Sequence, residues 1–369
     1  MKKCVLVNCF ASSNEMRVEP IRDALNEMGY KTIYISSDYH HTLKKYVELD
    51  NSITPIHVKP YKKNLSINRL LSHWDFSKQI YHFFCQEQPD LIYVKFPPNT
   101  LVYAAYRYKR RFDCKIILDL FDLWPESLPI SHKIKTLFFP LLYIWARYRD
   151  KYISCADLVL TECEMYKKVL GKKLPEETRT LYLTKEDIDY KFTSCKNGKI
   201  RLCFLGGVNN LINIDLIGKV INSFTKQGYS VSLDIIGDGS KRTELIQIAE
   251  SEGCKVSFHG VIYDEVKKNE ILSQCDLGLN LVRNCVKIAL SIKSIEYFRA
   301  GLGVINNVPF DTENIIDDNF AGINVSKGLD FDIKHIEIMK RNARYVYDNL
   351  FSIETCKNNI KNIFRSVGV

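Results

Sequence analysis

The stretch Ile200-Arg-Leu-Cys-Phe-Leu-Gly-Gly207, followed by Val231-Ser-Leu-Asp-Ile-Ile-Gly-Asp-Gly239, decides the fold. Each is a short apolar run that stops at glycine, the pattern of a buried strand ending in a tight turn. Between them, Ile214 to Gln227 reads as an amphipathic helix, and a strand, helix, strand unit of this kind makes a right-handed parallel crossover. The alternation then continues. Helix 242–252, strand 255–259, helix 264–274, strand 276–281, helix 291–300 and strand 303–306 complete one doubly wound unit. Towards the N-terminus the same alternation appears a second time. Strand 5–8, helix 17–28 ending at Gly29, and strands 31–36, 91–95, 115–118 and 157–161 make another unit. Helices 332–350 and 353–366 finish the chain.

The expected fold class is therefore α/β, with two facing Rossmann-like, doubly wound parallel-sheet domains. The expected boundaries are 1–185 for the first domain, 186–198 for a polar linker, 199–350 for the second domain, and 351–369 for a C-terminal helix crossing back to domain one. Doubly wound sheets bind ligands at the carboxyl ends of their strands, so a ligand cleft between the domains is expected.

Composition narrows the class further. The chain has 369 residues, of which 46% are hydrophobic and 26% charged, which excludes disordered, collagenous and low-complexity proteins. Lys and Arg number 52 against 43 Asp and Glu, a net charge of +9 that suits nucleic acid, a membrane surface or anionic ligands. No recognition motif for nucleic acid accompanies the charge. The 12 cysteines are scattered without a C-x-x-C, as expected of free thiols in a reducing cytoplasm. The N-terminal apolar run Cys4 to Val7 is too short for a signal peptide and reads as the first strand. The longest apolar run, Leu137 to Ala146, is too short to span a bilayer. Its basic flanks, Lys133, Lys135, Arg147, Arg149 and Lys151, fit either a helix lying in a membrane interface or a core helix with solvated ends. The aromatic-rich segment 69–84 reads as core.

The loops restrict the chemistry. The turn after the first strand, Asn8-Cys-Phe-Ala-Ser-Ser13, has no glycine, so a dinucleotide site is excluded there. There is no phosphate-binding G-x-x-x-x-G-K-[ST] loop, no H-E-x-x-H and no G-x-S-x-G, and no metal site is expected. In the second half, Gly206-Gly207 and Gly237-Asp238-Gly239 are either strand-end turns or ligand loops, and Asp238 is a candidate cap for the next helix. Ser291 is a candidate N-cap that places Lys293 in the first helical turn, where free N–H groups and a lysine suit a diphosphate. Glu296 follows on the same face, either to hydrogen-bond ribose hydroxyls or to pair with Lys293 as an i, i+3 salt bridge. In the first half, Asp119, Asp122 and Glu126 lie just past a strand and are candidate bases, with Trp124 and Phe121 as a sugar-stacking surface.

These segments resemble GT-B glycosyltransferases of the bacterial polysaccharide-synthesis type, related to glycosyltransferase family 4, over nearly the whole chain. Arg17 sits where such enzymes carry an arginine after the first strand loop. Asp122-Leu-Trp-Pro-Glu-Ser127 is similar to the D-x-W-P-E-S box of aminosugar and deoxysugar transferases. Phe204-Leu-Gly-Gly207, Ile235-Ile-Gly-Asp-Gly239 and Phe258-His259-Gly260 resemble the donor loops, and Lys293-x-x-Glu296-Tyr297 the donor signature of exopolysaccharide transferases. The resemblance implies that Lys293 meets the donor diphosphate and Glu296 the ribose. Family 4 members often carry a glutamate seven residues before this one and a basic pair after the Gly-Gly loop. This chain has Ala289 and Asn209-Asn210 instead, as xanthan-type glucuronosyltransferases also lack the first glutamate, and both retaining and inverting chemistry stay open.

The resulting expectation is a metal-independent hexosyltransferase that needs no cofactor. It would use a UDP- or GDP-sugar donor and a lipid-linked or glycan acceptor in surface polysaccharide or capsule synthesis, at the cytoplasmic face of the membrane. The acceptor would meet Arg17 and Trp124, with Asp119, Asp122 or Glu126 as base. The donor would meet Gly206, Gly207, Gly237, Asp238, Gly239, His259, Gly260, Ser291, Lys293 and Glu296. A non-catalytic GT-B subunit supporting a partner transferase and a sugar-nucleotide epimerase are the alternatives.

Overall fold

The computed structural model describes every residue except 11–15, 65, 129–135, 196–197, 285, 287 and 330–332. Its first unit comprises Met1–Leu183 and Cys356–Val369, and its second Thr184–Thr355. In the first, strands β1 (Lys3–Asn8), β2 (Lys31–Ser37), β5 (Ile53–Ile56), β6 (Leu91–Phe96), β7 (Lys115–Leu120), β8 (Leu158–Thr161) and β9 (Thr178–Thr180) form a parallel sheet in the order β5-β2-β1-β6-β7-β8-β9. A two-stranded antiparallel hairpin, β3 (Tyr39–His40) and β4 (Lys45–Tyr46), stands apart from it. The strand order reverses between β1 and β6, which is where a doubly wound sheet opens a crevice at its carboxyl edge. All six residues of β6 are buried, as a central parallel strand covered on both faces requires.

The second unit repeats the design. β10 (Lys199–Leu205), β11 (Ser230–Ile236), β12 (Lys255–Gly260), β13 (Leu277–Asn280), β14 (Gly303–Asn306) and β15 (Gly322–Asn324) run parallel in the order β12-β11-β10-β13-β14-β15, with the reversal between β10 and β13. Leu202, Phe204, Leu233, Ile235, Leu277 and Leu279 fill its core from the sheet, and Ile217, Ile221 and Phe224 from the helix Ile214–Lys226. Each such side chain contributes about 1.5–3 kcal/mol on burial.

Several boundaries differ from the expectation. The polar stretch read as a linker packs on the second unit, because it carries aromatic anchors. The Tyr190 ring lies under the Arg344 guanidinium at 4.9 Å, Phe192 lies under Arg341 at 4.4 Å, and Lys340 donates to the Thr193 carbonyl at 2.9 Å. The final helix, Ile353–Ser366, sends Cys356, Ile360 and Phe364 into the core of the first unit with Cys4, Leu6 and Leu91. The penultimate helix spans Ile336–Val346 and runs on as one π-helical turn, Tyr347–Phe351; residue 332, its expected start, lies outside the described residues. The strand β5 was not expected, since Pro55 interrupts its pattern. It is the outermost strand, where a missing N–H leaves no ladder bond unmade.

The basic flank of the run 137–146 also changes. Arg149 is fully buried, held by Glu126 at 2.6 Å and Asp150 at 2.7 Å, so it is an internal charge rather than a surface one. Lys133 and Lys135 lie outside the described residues. Within the helix Phe139–Tyr152 and just before it, Leu137, Phe138, Phe139, Leu141, Tyr143 and Ile144 are exposed, so this is not a core helix. The segment read as core, 69–84, lies in the helix Ile67–Glu87. That helix buries Phe76, Ile80 and Phe84 but exposes Leu70, Leu71 and Trp74. Among the described residues no helix is long and apolar enough to cross a membrane.

Candidate functional sites at the two strand-order reversals

In the second unit the carboxyl ends of β10, β11 and β12 are joined through their glycines. The Gly206 N–H donates to the Ile236 carbonyl at 2.8 Å, and the Gly237 N–H to the Gly260 carbonyl at 2.7 Å. Gly237 has φ +138°, and a Cβ there would stand 2.0 Å from the Gly206 carbonyl oxygen. A Cβ on Gly239 would stand 2.2 Å from the Val208 carbonyl oxygen. Gly237 and Gly239 thus allow one loop backbone to approach another, whereas Gly206 and Gly260, with nothing within 4 Å of their would-be Cβ atoms, face open space. Asp238 accepts from the Gly239 N–H at 2.7 Å and does not cap the next helix, whose N-cap is Lys241. His259 hydrogen-bonds Asp234 at 2.8 Å, so one ring nitrogen is committed to the unit itself.

The helix Ile292–Arg299 starts at the reversal between β10 and β13. Ser291 caps it, accepting from the Ser294 N–H at 3.2 Å. The cap is tied to the sheet by an asparagine row across three neighbouring strands. Asn280, Asn306 and Asn324 are register partners at the ends of β13, β14 and β15. Ser291 Oγ donates to Asn280 Oδ1 at 3.0 Å, Asn280 Nδ2 to Asn306 Oδ1 at 2.8 Å, and Asn306 Nδ2 to Asn324 Oδ1 at 2.8 Å. All three asparagines are buried, and a satisfied buried network of this kind holds the helix start in one place.

Lys293 projects from the first turn over the Phe204 ring, its Nζ 4.7 Å from the centroid. Among the described residues it has no carboxylate partner. Desolvation lowers its pKa from 10.5 to about 8. Glu296 does not pair with Lys293. One of its oxygens accepts from Lys185 at 2.9 Å and Lys268 at 3.4 Å, and the other from Arg299 at 2.6 Å. It is 3% exposed, so two of its acceptor positions are taken on one oxygen and one on the other. The neighbouring Tyr297 is a wedge. β10 and β13 pair only at Leu202 and Cys203, and beyond that point the Tyr297 hydroxyl accepts from the Leu205 N–H at 2.9 Å and lies 3.2 Å from the Leu279 carbonyl oxygen. Gly278 leaves room for the ring.

In the first unit a cavity of about 300 Å³ opens at the ends of β1, β6 and β7. Asn8 and Phe10 line it from β1 and its loop, Lys95 and Pro97 from the end of β6, and Phe121, Asp122 and Trp124 from the loop after β7. His41 and Arg69 close another side. The three candidate carboxylates separate sharply by surroundings. Asp119 is fully buried, bound by both Nε and Nη2 of Arg17 at 2.7 Å, and its Oδ2 also accepts from the Tyr93 hydroxyl. Arg17 is itself 2% exposed and donates also to the Leu181 carbonyl, so it faces Asp119 rather than the cavity. Glu126 is engaged by Arg149 through two bonds, at 2.9 and 2.6 Å. Asp122 alone lines the cavity. Burial raises its carboxyl to about 6, although Lys95 and Arg69 both pull the other way.

Trp124 contributes its ring to the same wall, with the Arg69 guanidinium 4.5 Å from its centroid. Arg69, which caps no motif and sits in a stretch read as core, is the principal residue that sequence reasoning missed. Glu162 is another. Its N–H donates to the Leu120 carbonyl at 3.2 Å, which sets it beside the loop that carries Asp122. Burial raises its carboxyl to about 7, and the Asp122 charge adds to the shift. Proximity in sequence signals neither residue. The asparagines at the ends of β13, β14 and β15 are legible only as a set, once the strands are aligned.

No family model matches the chain, and no curated protein matches it. Solved structures match its fold across the whole length. The sucrose-phosphate synthase of Thermosynechococcus elongatus is 12% identical, with a TM-score of 0.69 over 100% of this chain and 99% of that one. Anabaena HepE, solved in complex with UDP, is 13% identical, with a TM-score of 0.65 over 99% of this chain and 100% of that one. A glycosyltransferase from Rickettsia africae is 13% identical, with a TM-score of 0.64 over 99% and 98%. The chain thus has the GT-B fold, two α/β domains each with a parallel sheet, and its structural neighbours are glycosyltransferases.

Proposed function

We propose that the chain is a glycosyltransferase that moves a hexosyl group from a UDP- or GDP-sugar to a lipid-linked or glycan acceptor in bacterial surface polysaccharide synthesis, without a metal ion. The observation that carries this reading is Lys293: a half-buried cation with no carboxylate partner among the described residues, at a capped helix start, beside the open Gly206 loop. A desolvated cation beside free helical N–H groups gains from a diphosphate and loses in its absence. Two neighbours point the same way, HepE having been solved with UDP and the lipopolysaccharide outer core galactosyltransferase WaaB matching over 99% of each chain.

In this reading Asp122 acts on the acceptor. Its carboxylate takes the proton of the acceptor hydroxyl, whose oxygen bonds to the anomeric carbon while the bond from that carbon to the diphosphate oxygen breaks. The electron pair leaves with the diphosphate, and Lys293 and the helix start offset its charge. A carboxyl held at about 6 is suited to this work, being ionised at neutral pH yet basic enough to accept a proton. Asp119 and Glu126 then hold the site together through Arg17 and Arg149.

The exposed apolar residues 137–144 and the basic Arg147 and Lys151 would seat the first unit on an anionic bilayer from the cytoplasmic side. The test is release of nucleoside diphosphate from a panel of UDP- and GDP-hexoses, with Lys293→Ala as the control. A wild-type chain that binds no nucleotide sinks the reading, and product formed from the donor alone indicates an epimerase instead.

A further inference from the structure

Arg69 is 6% exposed and lines the cavity that holds Asp122. Its helix begins at Ser66, whose hydroxyl accepts from the Arg69 N–H at 3.3 Å, so the residue is fixed at the first turn. The side chain then runs inward. Nη1 donates to the Asn64 carbonyl at 3.0 Å and Nε to His73 Nε2 at 3.4 Å, both uncharged acceptors. The guanidinium is ringed by aromatic faces, with Trp124 at 4.5 Å, Tyr61 at 5.7 Å and Phe10 at 5.8 Å. Among the described residues no carboxylate reaches ion-pair distance. The contrast with the other buried arginines is direct, since Arg17, Arg149 and Arg299 each hold a carboxylate at 2.6 or 2.7 Å. A buried guanidinium left to neutral partners is costly unless an anion arrives.

The same cavity receives a second cation. Lys95, 7% exposed at the end of β6, has its Nζ 3.9 Å from the centre of the Phe121 ring. Among the described residues Asp122 is the only carboxylate on the wall. His41 adds no charge at neutral pH, because burial and Arg69 lower it to about 4. Arg69 therefore brings to the wall a positive charge that no described carboxylate holds at ion-pair distance, its side-chain acceptors being the Asn64 carbonyl and His73.

We propose that this cavity is an anion subsite for the acceptor, in which Arg69 and Lys95 hold an anionic oxygen group, phosphate or carboxylate, next to the hydroxyl that Asp122 deprotonates. The planar fork of Arg69 suits two oxygens of one such group, and the aromatic wall of Trp124 and Phe10 suits the ring or chain attached to it. The acceptor class is thereby narrowed to one that carries a negative charge close to its reacting hydroxyl. Two sources share this chemistry: the phosphate of a lipid-linked sugar and the carboxylate of an acidic sugar. The proposal rests on the glycosyltransferase reading for the word acceptor, but the subsite itself does not depend on the donor.

The test uses the full chain carrying Lys293→Ala, so that the donor-side cation does not report. Inorganic pyrophosphate, methyl phosphate and glucuronate are titrated by calorimetry and by tryptophan fluorescence, with glucose as the neutral control. At least one anion is expected to bind, and Arg69→Gln is expected to weaken it at least about tenfold while leaving glucose unaffected. Preference for the phosphates assigns the lipid-linked source, and preference for glucuronate the acidic sugar. If Arg69→Gln does not fold, Lys95→Gln supplies the same comparison. Anion binding indifferent to both substitutions, or no anion binding at millimolar concentration, overturns the subsite. A separate titration of the wild type with UDP and GDP reports on the second unit. Nucleotide binding without anion binding removes the subsite alone, and the reverse removes the glycosyltransferase reading alone.

Discussion

Replacing Lys293 by Met should make the free protein more stable and the nucleotide-bound protein less so. The ammonium is held over Phe204 with no counter-ion among the described residues, and its pKa falls from 10.5 to about 8 through desolvation. Each pKa unit is about 1.4 kcal/mol, so charging this lysine in the folded state costs at most about 3.5 kcal/mol, and relaxation makes about 1–2 kcal/mol the reasonable expectation. Between pH 8 and 10.5 the unfolded chain keeps a proton on Lys293 that the folded chain has released. Stability contributed by this group therefore rises with pH across that window, and the cost is fully present below about 8. Met packs on the same ring without the charge. At pH 7 its gain should appear as a few degrees in Tm, at about 2–4 °C per kcal/mol for a domain of this size.

Nucleotide reverses the sign. A charge-assisted contact to a diphosphate is worth about 1.5–3 kcal/mol, so Lys293→Met should weaken UDP or GDP by roughly ten- to a hundredfold. Saturation at about 100 times Kd adds about 2.7 kcal/mol to the wild type, and at the same concentration the variant should keep only about 0.4–1.4 kcal/mol of it. The assay is thermal melting at pH 7, 8.5 and 10 with and without nucleotide, with Kd from calorimetry. A variant that melts below wild type and keeps the full nucleotide shift would refute the reasoning, since Lys293 would then be an ordinary stabilising lysine.

The remaining carboxylates and loops give opposite signatures. Asp119→Asn leaves the buried Arg17 without its counter-charge and should cost about 3–5 kcal/mol, read as a large fall in Tm. Asp122→Asn should lower kcat by about 10²–10⁴ with KM little changed, and stability at pH 7 should not fall. The cost of charging Asp122 in the folded state is complete above pH 6 and gone below 3.8, so removing the charge relieves it; wild-type activity should fall as pH drops through about 6. Gly237→Ala puts a Cβ 2.0 Å from the Gly206 carbonyl at a φ of +138°, so about 1–3 kcal/mol of stability and the nucleotide-induced Tm shift should be lost together.

Local patterns carried the fold because both sheets are made of short apolar runs separated by amphipathic helices. The same rule missed β5, since an edge strand tolerates a proline that a central strand does not. The candidate base was legible only as a group of three. Asp119, Asp122 and Glu126 look alike along the chain, and they separate through partners far from them in sequence, Arg17 for the first and Arg149 for the last. Arg69 was read as core because its helix does bury an apolar face, and nothing local says that one buried position holds a cation. Lys293 and Glu296 show most directly what spacing leaves out. Three residues apart on one helix, they fit either a solvated ion pair or two separate ligand groups. Glu296 instead accepts from Lys185, Lys268 and Arg299, of which the first two lie in other segments. With the glutamate thus surrounded by other cations, the first-turn lysine keeps its charge without a carboxylate partner among the described residues. Long-range competition for one carboxylate is what leaves Lys293 available to an anion at the point where β10 and β13 part.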